Sequence, residues 1–357
     1  MTMNNFLSSA LRVSACLLLV SCSPSVYKQV YPTLLDGRYD SEFPYNSCSS
    51  QLEEISETVK CITTMAHYKS YAFPLSDSVR ISDITKDFLD RKETNASYQH
   101  YSVSGSGTVV YSENGKIALL TCAHVCDFSD TLITRYVGPN YLMTPFIRSI
   151  AIKMNQLVFL NEVAGGVTLD LLAFDRAIDL AILGQKLNPI QSYQFRVFMY
   201  PLGRAKELEW GSFVYLFGYP AGYRMITKGI VSLPSRAPQG SFIIDAVVSP
   251  GSSGSIALAI RDGVPHFELV GIVKMMPAQT SYVLTPSKDG NVEYDPLEPY
   301  HGEVFVERKT EIQQGIALAI PTETIVSFIQ NNLQRLAYRG YDLRSWIIPR
   351  QKEVTKQ

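Results

Sequence analysis

From Ser104 onward the chain breaks into short apolar runs with turn signals between them, and this rhythm persists to Ala319. Ser104-Gly-Ser-Gly107 leads into Thr108-Val-Val-Tyr111. Glu113-Asn-Gly115 is a hairpin signal, since Asn-Gly accepts the positive φ of a tight turn. Lys116-Ile-Ala-Leu-Leu-Thr121 follows, and further strand-like runs lie near 149–153, 167–175, 181–183, 213–217, 226–233, 242–247, 256–260, 268–273 and 315–319. Many short strands with turn signals between them predict a closed all-β architecture. Apolar residues make up 46% of the 357 positions and charged residues 18%, so a sizeable core is available for one large domain or two small ones. A net charge of −1 gives no electrostatic case for nucleic acid.

The two ends read differently. Arg12 precedes the apolar run Val13-Ser-Ala-Cys-Leu-Leu-Leu-Val20, far short of the roughly twenty residues a bilayer span needs, and this marks a targeting segment. Its close, Leu19-Val20-Ser21-Cys22, resembles the bacterial lipobox. That resemblance implies a signal peptide over 1–21, lipid on Cys22, and a place on the bacterial cell envelope, at the outer membrane or its periplasmic face. Several acyl chains on one residue make a stable anchor. Residues 22–47, rich in Tyr, Pro, Ser and Asp, read as a tether, and 341–357 as a tail. Ser50-Gln-Leu-Glu53 is a capping-box pattern opening a short helix. A first strand is expected from about 58, and a short surface helix over 82–91. Pro321-Thr322 opens a helix with Ile325, Ile329, Leu333 and Leu336 at helical spacing, and Gly340 is placed to stop it. Cys48, Cys61, Cys122 and Cys126 lie beyond the signal segment; four cysteines allow three disulfide pairings, and free thiols are an equal alternative.

Three segments carry chemistry. Pro250-Gly-Ser-Ser253-Gly-Ser255 places a serine in a Gly-flanked turn, between one apolar strand and the next. A nucleophilic serine needs its Oγ exposed on such a turn, with backbone N–H groups aimed at the developing oxyanion. Alone, the hexamer reads as a flexible Gly/Ser loop. Thr121-Cys-Ala-His124-Val puts an imidazole at a strand end, where a packed or solvent-facing histidine is the commoner outcome. Cys122, His124 and Cys126 as a metal cluster are rejected: along a strand the two sulfurs lie roughly 13 Å apart, and no fourth ligand presents itself. Asp179, in Ala177-Ile-Asp-Leu-Ala-Ile-Leu183, is a carboxylate in an apolar stretch, which calls for a partner. That partner is either a basic side chain or an imidazole to orient. Asp175 competes, but its Phe-Asp-Arg setting reads as a turn. A base, an orienter and a nucleophile together equip a chain for acyl transfer by serine.

These segments, in the order His, Asp, Ser, resemble the chymotrypsin-like (PA clan) serine proteases, and most closely the HtrA (Deg) type. Gly105-Ser-Gly-Thr-Val-Val is similar to that type's opening strand, and Thr-Cys-Ala-His124-Val to its Thr-x-Ala-His-Val. Asp179-Leu-Ala-Ile-Leu, the block from Gly211 through Gly218-Tyr-Pro220, Gly229-Ile-Val-Ser232, Asp245-Ala-Val-Val-Ser-Pro-Gly-Ser-Ser253-Gly and Gly315-Ile-Ala-Leu-Ala-Ile-Pro321 follow in the same order. Seven blocks in order are far more specific than any one. The resemblance implies a trypsin-like double β-barrel over 48–340, with a first barrel at about 58–190, a second at about 205–320 and a C-terminal α-helix at 322–339.

It also implies a serine endopeptidase acting on a protein or peptide substrate through an acyl-enzyme. His124, Asp179 and Ser253 would be catalytic, Gly251, Ser252 and Ser253 would form the oxyanion hole, and no metal or organic cofactor is needed. Val248 and the stretch Val273, Lys274, Met275, Met276 would wall the specificity pocket, which predicts a small or medium aliphatic P1 residue. The chain departs from the pattern at Ser252, where the family has Asn or Asp, and at Ser255, where it has Gly; staphylococcal glutamyl-endopeptidases resemble this chain in having Ser at the latter. An insertion over 278–314 follows the strand expected to bind substrate, and what lies after Pro321 is too short for a PDZ domain. The alternative reading is a non-catalytic trypsin-like lipoprotein that binds peptides or partner proteins. The two separate on whether Ser253 Oγ and His124 stand within hydrogen-bond reach.

Overall fold

The structure is a computed structural model that describes residues 35–44, 46–92, 96–138, 142–161, 166–187, 195–234, 240–275, 278–286, 297–312 and 315–348. Helix α1 (Ser49–Glu57) leads into β1 (Val59–Ala72), and α2 (Lys86–Arg91) into β2 (Ala96–Glu113). Then come β3 (Lys116–Thr121), the single turn α3 (Ala123–Cys126), β4 (Thr131–Val137), β5 (Met143–Leu160), β6 (Val167–Asp175) and β7 (Leu180–Lys186). The second half holds β8 (Phe213–Gly218), β9 (Met225–Leu233), β10 (Phe242–Ala246), β11 (Ile256–Ile260) and β12 (Phe267–Met275). A hairpin of β13 (Ala278–Thr285) and β14 (Phe305–Ile312), strand β15 (Gly315–Pro321), α4 (Thr322–Tyr338) and α5 (Arg344–Ile347) complete it. Among the described residues no helix is long and apolar enough to cross a membrane.

The strands close two antiparallel barrels. The first runs β1-β2-β3-β7-β6-β5 and shuts by pairing β5 with β1, with β4 added outside β5. The second runs β10-β15-β12-β11-β8-β9 and shuts by pairing β9 with β10. The fold is the expected trypsin-like double barrel, and the described residues of the insertion over 278–314 include the separate β13–β14 hairpin.

Three apolar cores explain why some strands read as unbroken apolar runs. Along β3, Ile117 and Leu119 point into the first barrel while Ala118 and Leu120 point into a core between the barrels. On β7, Ala181 and Leu183 fill the first barrel, and Leu180 and Ile182 the shared core. On β11 the small Ala257 and Ala259 face the second barrel, and the large Ile256, Leu258 and Ile260 face the shared core. A strand alternates faces residue by residue, so one buried on both faces loses the polar half of its pattern. Each fully buried aliphatic side chain of this kind contributes about 1.5–3 kcal/mol. Helix α4 seals the shared core with Ile325, Phe328, Ile329 and Leu336. It ends at Gly340 (φ 84), where the Tyr341 N–H reaches back to the Leu336 carbonyl at 2.9 Å.

Local details depart from expectation. Ser50 does not cap α1; Cys48 holds the cap position without a side-chain hydrogen bond, and Ser50 lies within the helix. The surface helix begins later than expected, at Lys86, because the Thr85 side chain caps it by accepting from the Phe88 N–H at 3.2 Å. The stretch expected as tether is docked at its end. Tyr39 and Asp40 are buried on the second barrel, where the Asp40 N–H donates to Ile260 and its carbonyl accepts from the Phe213 N–H. All four described cysteines are free and buried. Cys22 lies outside the described residues.

Candidate active site

The three segments meet where both barrels touch the shared core. Strand β3 ends at Thr121; Cys122 stays extended, and the chain then turns into α3. His124 therefore sits on a helical turn rather than at a strand end, held from below by buried Ala123, Val125 and Cys126. Asp179 occupies the β6–β7 turn at φ 61, a left-handed conformation that Asp tolerates better than most residues. Asp175 sets up that turn: its carboxylate accepts from the Ala177 and Ile178 N–H groups at 2.8 and 3.3 Å. It therefore makes no claim on His124.

Asp179 grips the histidine segment in three ways. Its Oδ1 accepts from the His124 backbone N–H at 2.9 Å, its Oδ2 lies 2.8 Å from His124 Nδ1, and its carbonyl accepts from the Ala123 N–H at 3.2 Å. A carboxylate only accepts, so Nδ1 carries the imidazole proton and Nε2 is left as an acceptor. Ser253 Oγ stands 2.9 Å from Nε2, at the reach that separates the two readings of the sequence. The Asp179 side chain is 18% exposed and the His124 side chain 45%, so the relay runs from a shielded carboxylate to an open imidazole edge.

The serine loop is shaped by contacts that only glycine permits. Gly251 (φ 99) lies against the Tyr219 carbonyl, and Gly254 (φ 88) against the Ser106 carbonyl and Thr121 Oγ1; a Cβ at either position would overlap those atoms. Within residues 251–260 only Ser253 is not buried. The backbone N–H groups divide cleanly. Ser252 donates to Ser249 at 2.9 Å, Gly254 to Val273 at 2.8 Å, and Ser255 to Ser252 at 3.0 Å. Among the described residues the N–H groups of Gly251 and Ser253 meet no acceptor. Ser252, expected as part of the oxyanion hole, contributes no donor, because its N–H is already engaged. The Ser252 hydroxyl accepts from the Ser249 N–H at 3.1 Å, and Ser255 Oγ lies 3.3 Å from Ser106 Oγ. Both departures from the family pattern thus sit inside the loop as buried struts, 4% and 3% exposed.

Two residues of the expected specificity wall, Val248 and Val273, are core. Val248 and Val273 are 2% and 1% exposed and pack among the second-barrel residues, so their side chains line no accessible pocket. What Val273 offers is its backbone, which bonds both ways with the serine loop. Lys274 is half-buried, Met275 is described only as the end of β12, and Met276 lies outside the described residues. The expectation of an aliphatic P1 residue loses the support of those two side chains.

Cys122, His124 and Asp179 bring possible ligand atoms within 4.8 Å of one another. Each is committed elsewhere. The Cys122 thiol donates to the Val273 carbonyl at 3.3 Å, and burial pushes it well above the usual thiol range, away from the thiolate that binds metal. Both imidazole nitrogens belong to the Asp179–Ser253 relay. Sequence reasoning missed Ser106, Thr121, Tyr219 and Ala221, which fix the serine loop from outside; a polar Ser inside a Gly-rich run that enters an apolar strand was the only signal.

Residues 105–272 match the trypsin-like peptidase domain family. The match contains all three segments and supports a chymotrypsin-like serine protease. A search of curated proteins found no match.

Proposed function

We propose that the protein is a serine endopeptidase of HtrA-like type, held on the bacterial cell envelope by lipid on Cys22. The observation that carries the reading is the unbroken relay from Asp179 through His124 to Ser253, at 2.8 and 2.9 Å. His124 takes the Ser253 proton as Oγ attacks a peptide carbonyl, then delivers it to the leaving amine. Asp179 keeps the tautomer and stabilises the imidazolium. The N–H groups of Gly251 and Ser253 receive the oxyanion, each on a developing charge that water would otherwise solvate. Water then hydrolyses the acyl-enzyme by the same relay in reverse.

The relay geometry favours this over the non-catalytic alternative, since a partner-binding protein has no need to hold a serine hydroxyl on an imidazole edge. Labelling the membrane fraction with a fluorophosphonate, followed by mass mapping, is the test. The probe is expected on Ser253 and diacylglycerol on Cys22, and Ser253→Ala should abolish labelling. Undiminished labelling of that variant removes the enzyme reading; an unlipidated Cys22 removes the anchor.

A further inference from the structure

Ser106 of β2 belongs to the first barrel, is fully buried, and is engaged through every polar atom it has. Its N–H donates to the Ser253 carbonyl at 2.7 Å, and its carbonyl accepts from Thr121 Oγ1 at 2.7 Å. Its hydroxyl donates to the Gly251 carbonyl at 2.9 Å, accepts from the Tyr219 N–H at 2.8 Å, and lies 3.3 Å from Ser255 Oγ. One side chain from the first barrel thus ties together two loops of the second.

The bond to Gly251 bears on where the loop's N–H groups face. A trans peptide is planar, with its N–H and C=O pointing in opposite directions, so fixing one end fixes the other. The Pro250 carbonyl accepts from the Ala221 N–H at 2.7 Å, which turns the Gly251 N–H away from Ala221. The Ser252 carbonyl accepts from the Ser255 N–H, which turns the Ser253 N–H the opposite way. Between them the Gly251–Ser252 peptide is held at both ends, by Ser106 Oγ and by the Ser249 carbonyl. That central plane links the two donor-bearing peptides. Gly251, with no Cβ, is the residue of the loop most free to let it rotate.

We propose that Ser106 is a positioning residue for the chemistry of Ser253: its hydroxyl holds the Gly251 carbonyl turned into the protein, and so keeps the Gly251 and Ser253 N–H groups free to receive an oxyanion without a prior loop rearrangement. The inference rests on the protease reading above. Ser106 touches neither substrate nor the reacting atoms; it acts through the loop.

The test uses the full chain and a fluorophosphonate, because phosphonylation asks the same loop to receive a phosphoryl oxygen. Ser253 Oγ forms the P–O bond, fluoride leaves, and the Oγ proton passes to His124. For Ser106→Ala the maximal labelling rate is expected to fall about tenfold, a fraction of the 10²–10³ that follows outright loss of one oxyanion donor. The half-saturating probe concentration should stay within about twofold, and the shape of the pH–rate curve should not change, since the His124–Asp179 pair is untouched. Ser106→Cys, a weaker donor of similar reach, should fall in between. An unchanged maximal rate in either folded variant overturns the proposal. So does a loss matched by the unfolded fraction in a parallel melt, or failure of both variants to fold, each of which assigns Ser106 to stability alone. A wild-type chain that does not label at Ser253 removes the protease reading instead.

Discussion

The two barrels build the same antiparallel ladder and use it differently. In the first, β1 runs 14 residues and β2 and β5 run 18 each. Much of that length is solvent-facing: residues 96–104 of β2 are exposed or half-exposed, and burial starts only at Gly105. In the second barrel the strands run 5 to 9 residues, and β11 is buried at every position. None of the long exposed ladder carries the site. His124, Asp179 and Ser253 hang from β3, β7 and β11, short strands packed on both faces. Strand length gives the first barrel its size; double-sided burial gives the site its precision, because a close-packed interior leaves a side chain few alternative positions.

Three substitutions sharpen this division. Asp179→Asn strikes the first barrel's half of the relay alone. Asn also accepts a left-handed φ, so the fold should hold and the melting temperature should barely move. The amide misdirects the imidazole tautomer, and the phosphonylation rate of Ser253 should drop by about 10⁴, the scale seen when the orienting carboxylate of a Ser-His-Asp triad is neutralised. A melt as damaged as the rate would show that the β6–β7 turn is a structural joint instead. Gly254→Ala strikes the second barrel's loop where it rests on the Ser106 carbonyl. Left-handed strain plus that overlap should cost about 3 kcal/mol, read as a lower denaturant midpoint together with lost labelling; an unshifted midpoint would mean that the seam between the barrels yields easily.

The smallest effect concerns Asp40, packed on the second barrel. Burial pushes its carboxyl up to about 6, against about 3.9 in an unfolded chain. As pH rises through that window the unfolded chain releases the proton first, so native stability declines and stays lower above it. Asp40→Asn removes the decline. The variant should melt above wild type near pH 7 and lose that advantage near pH 4, by differential scanning fluorimetry; an equal offset at both would show that the charge is irrelevant.

What the sequence revealed and what it hid follow from locality. The β3, β7 and β11 runs were readable because their apolar pattern is intrinsic, and Ser253 because its glycines must sit beside it. The shape of the loop is set by Tyr219, Ala221 and Ser106, which lie far off in the chain and reach it only across the seam, so no spacing rule exposes them. Val248 and Val273 were misread for a related reason: both side chains pack into the second-barrel core, and Val273 reaches the serine loop only through backbone bonds to Gly254 and Ser255, a tertiary pairing that no spacing shows. Ser252 and Ser255 stand in the sequence as departures from the family pattern; in the structure they are buried struts, a role visible only once their partners are known. The Ser50 cap failed because the helix already begins at Ser49, with Cys48 at the cap position.

The four buried thiols carry a consequence of another kind. Thiolate, not thiol, reacts with oxidants and with other disulfides. Burial pushes both Cys122 and Cys126 far above the range in which thiolate forms, and Cys48 and Cys61 are likewise shut away from solvent. In the folded chain Cys122 and Cys126 are therefore held as thiols, poor partners for oxidants and for disulfide exchange.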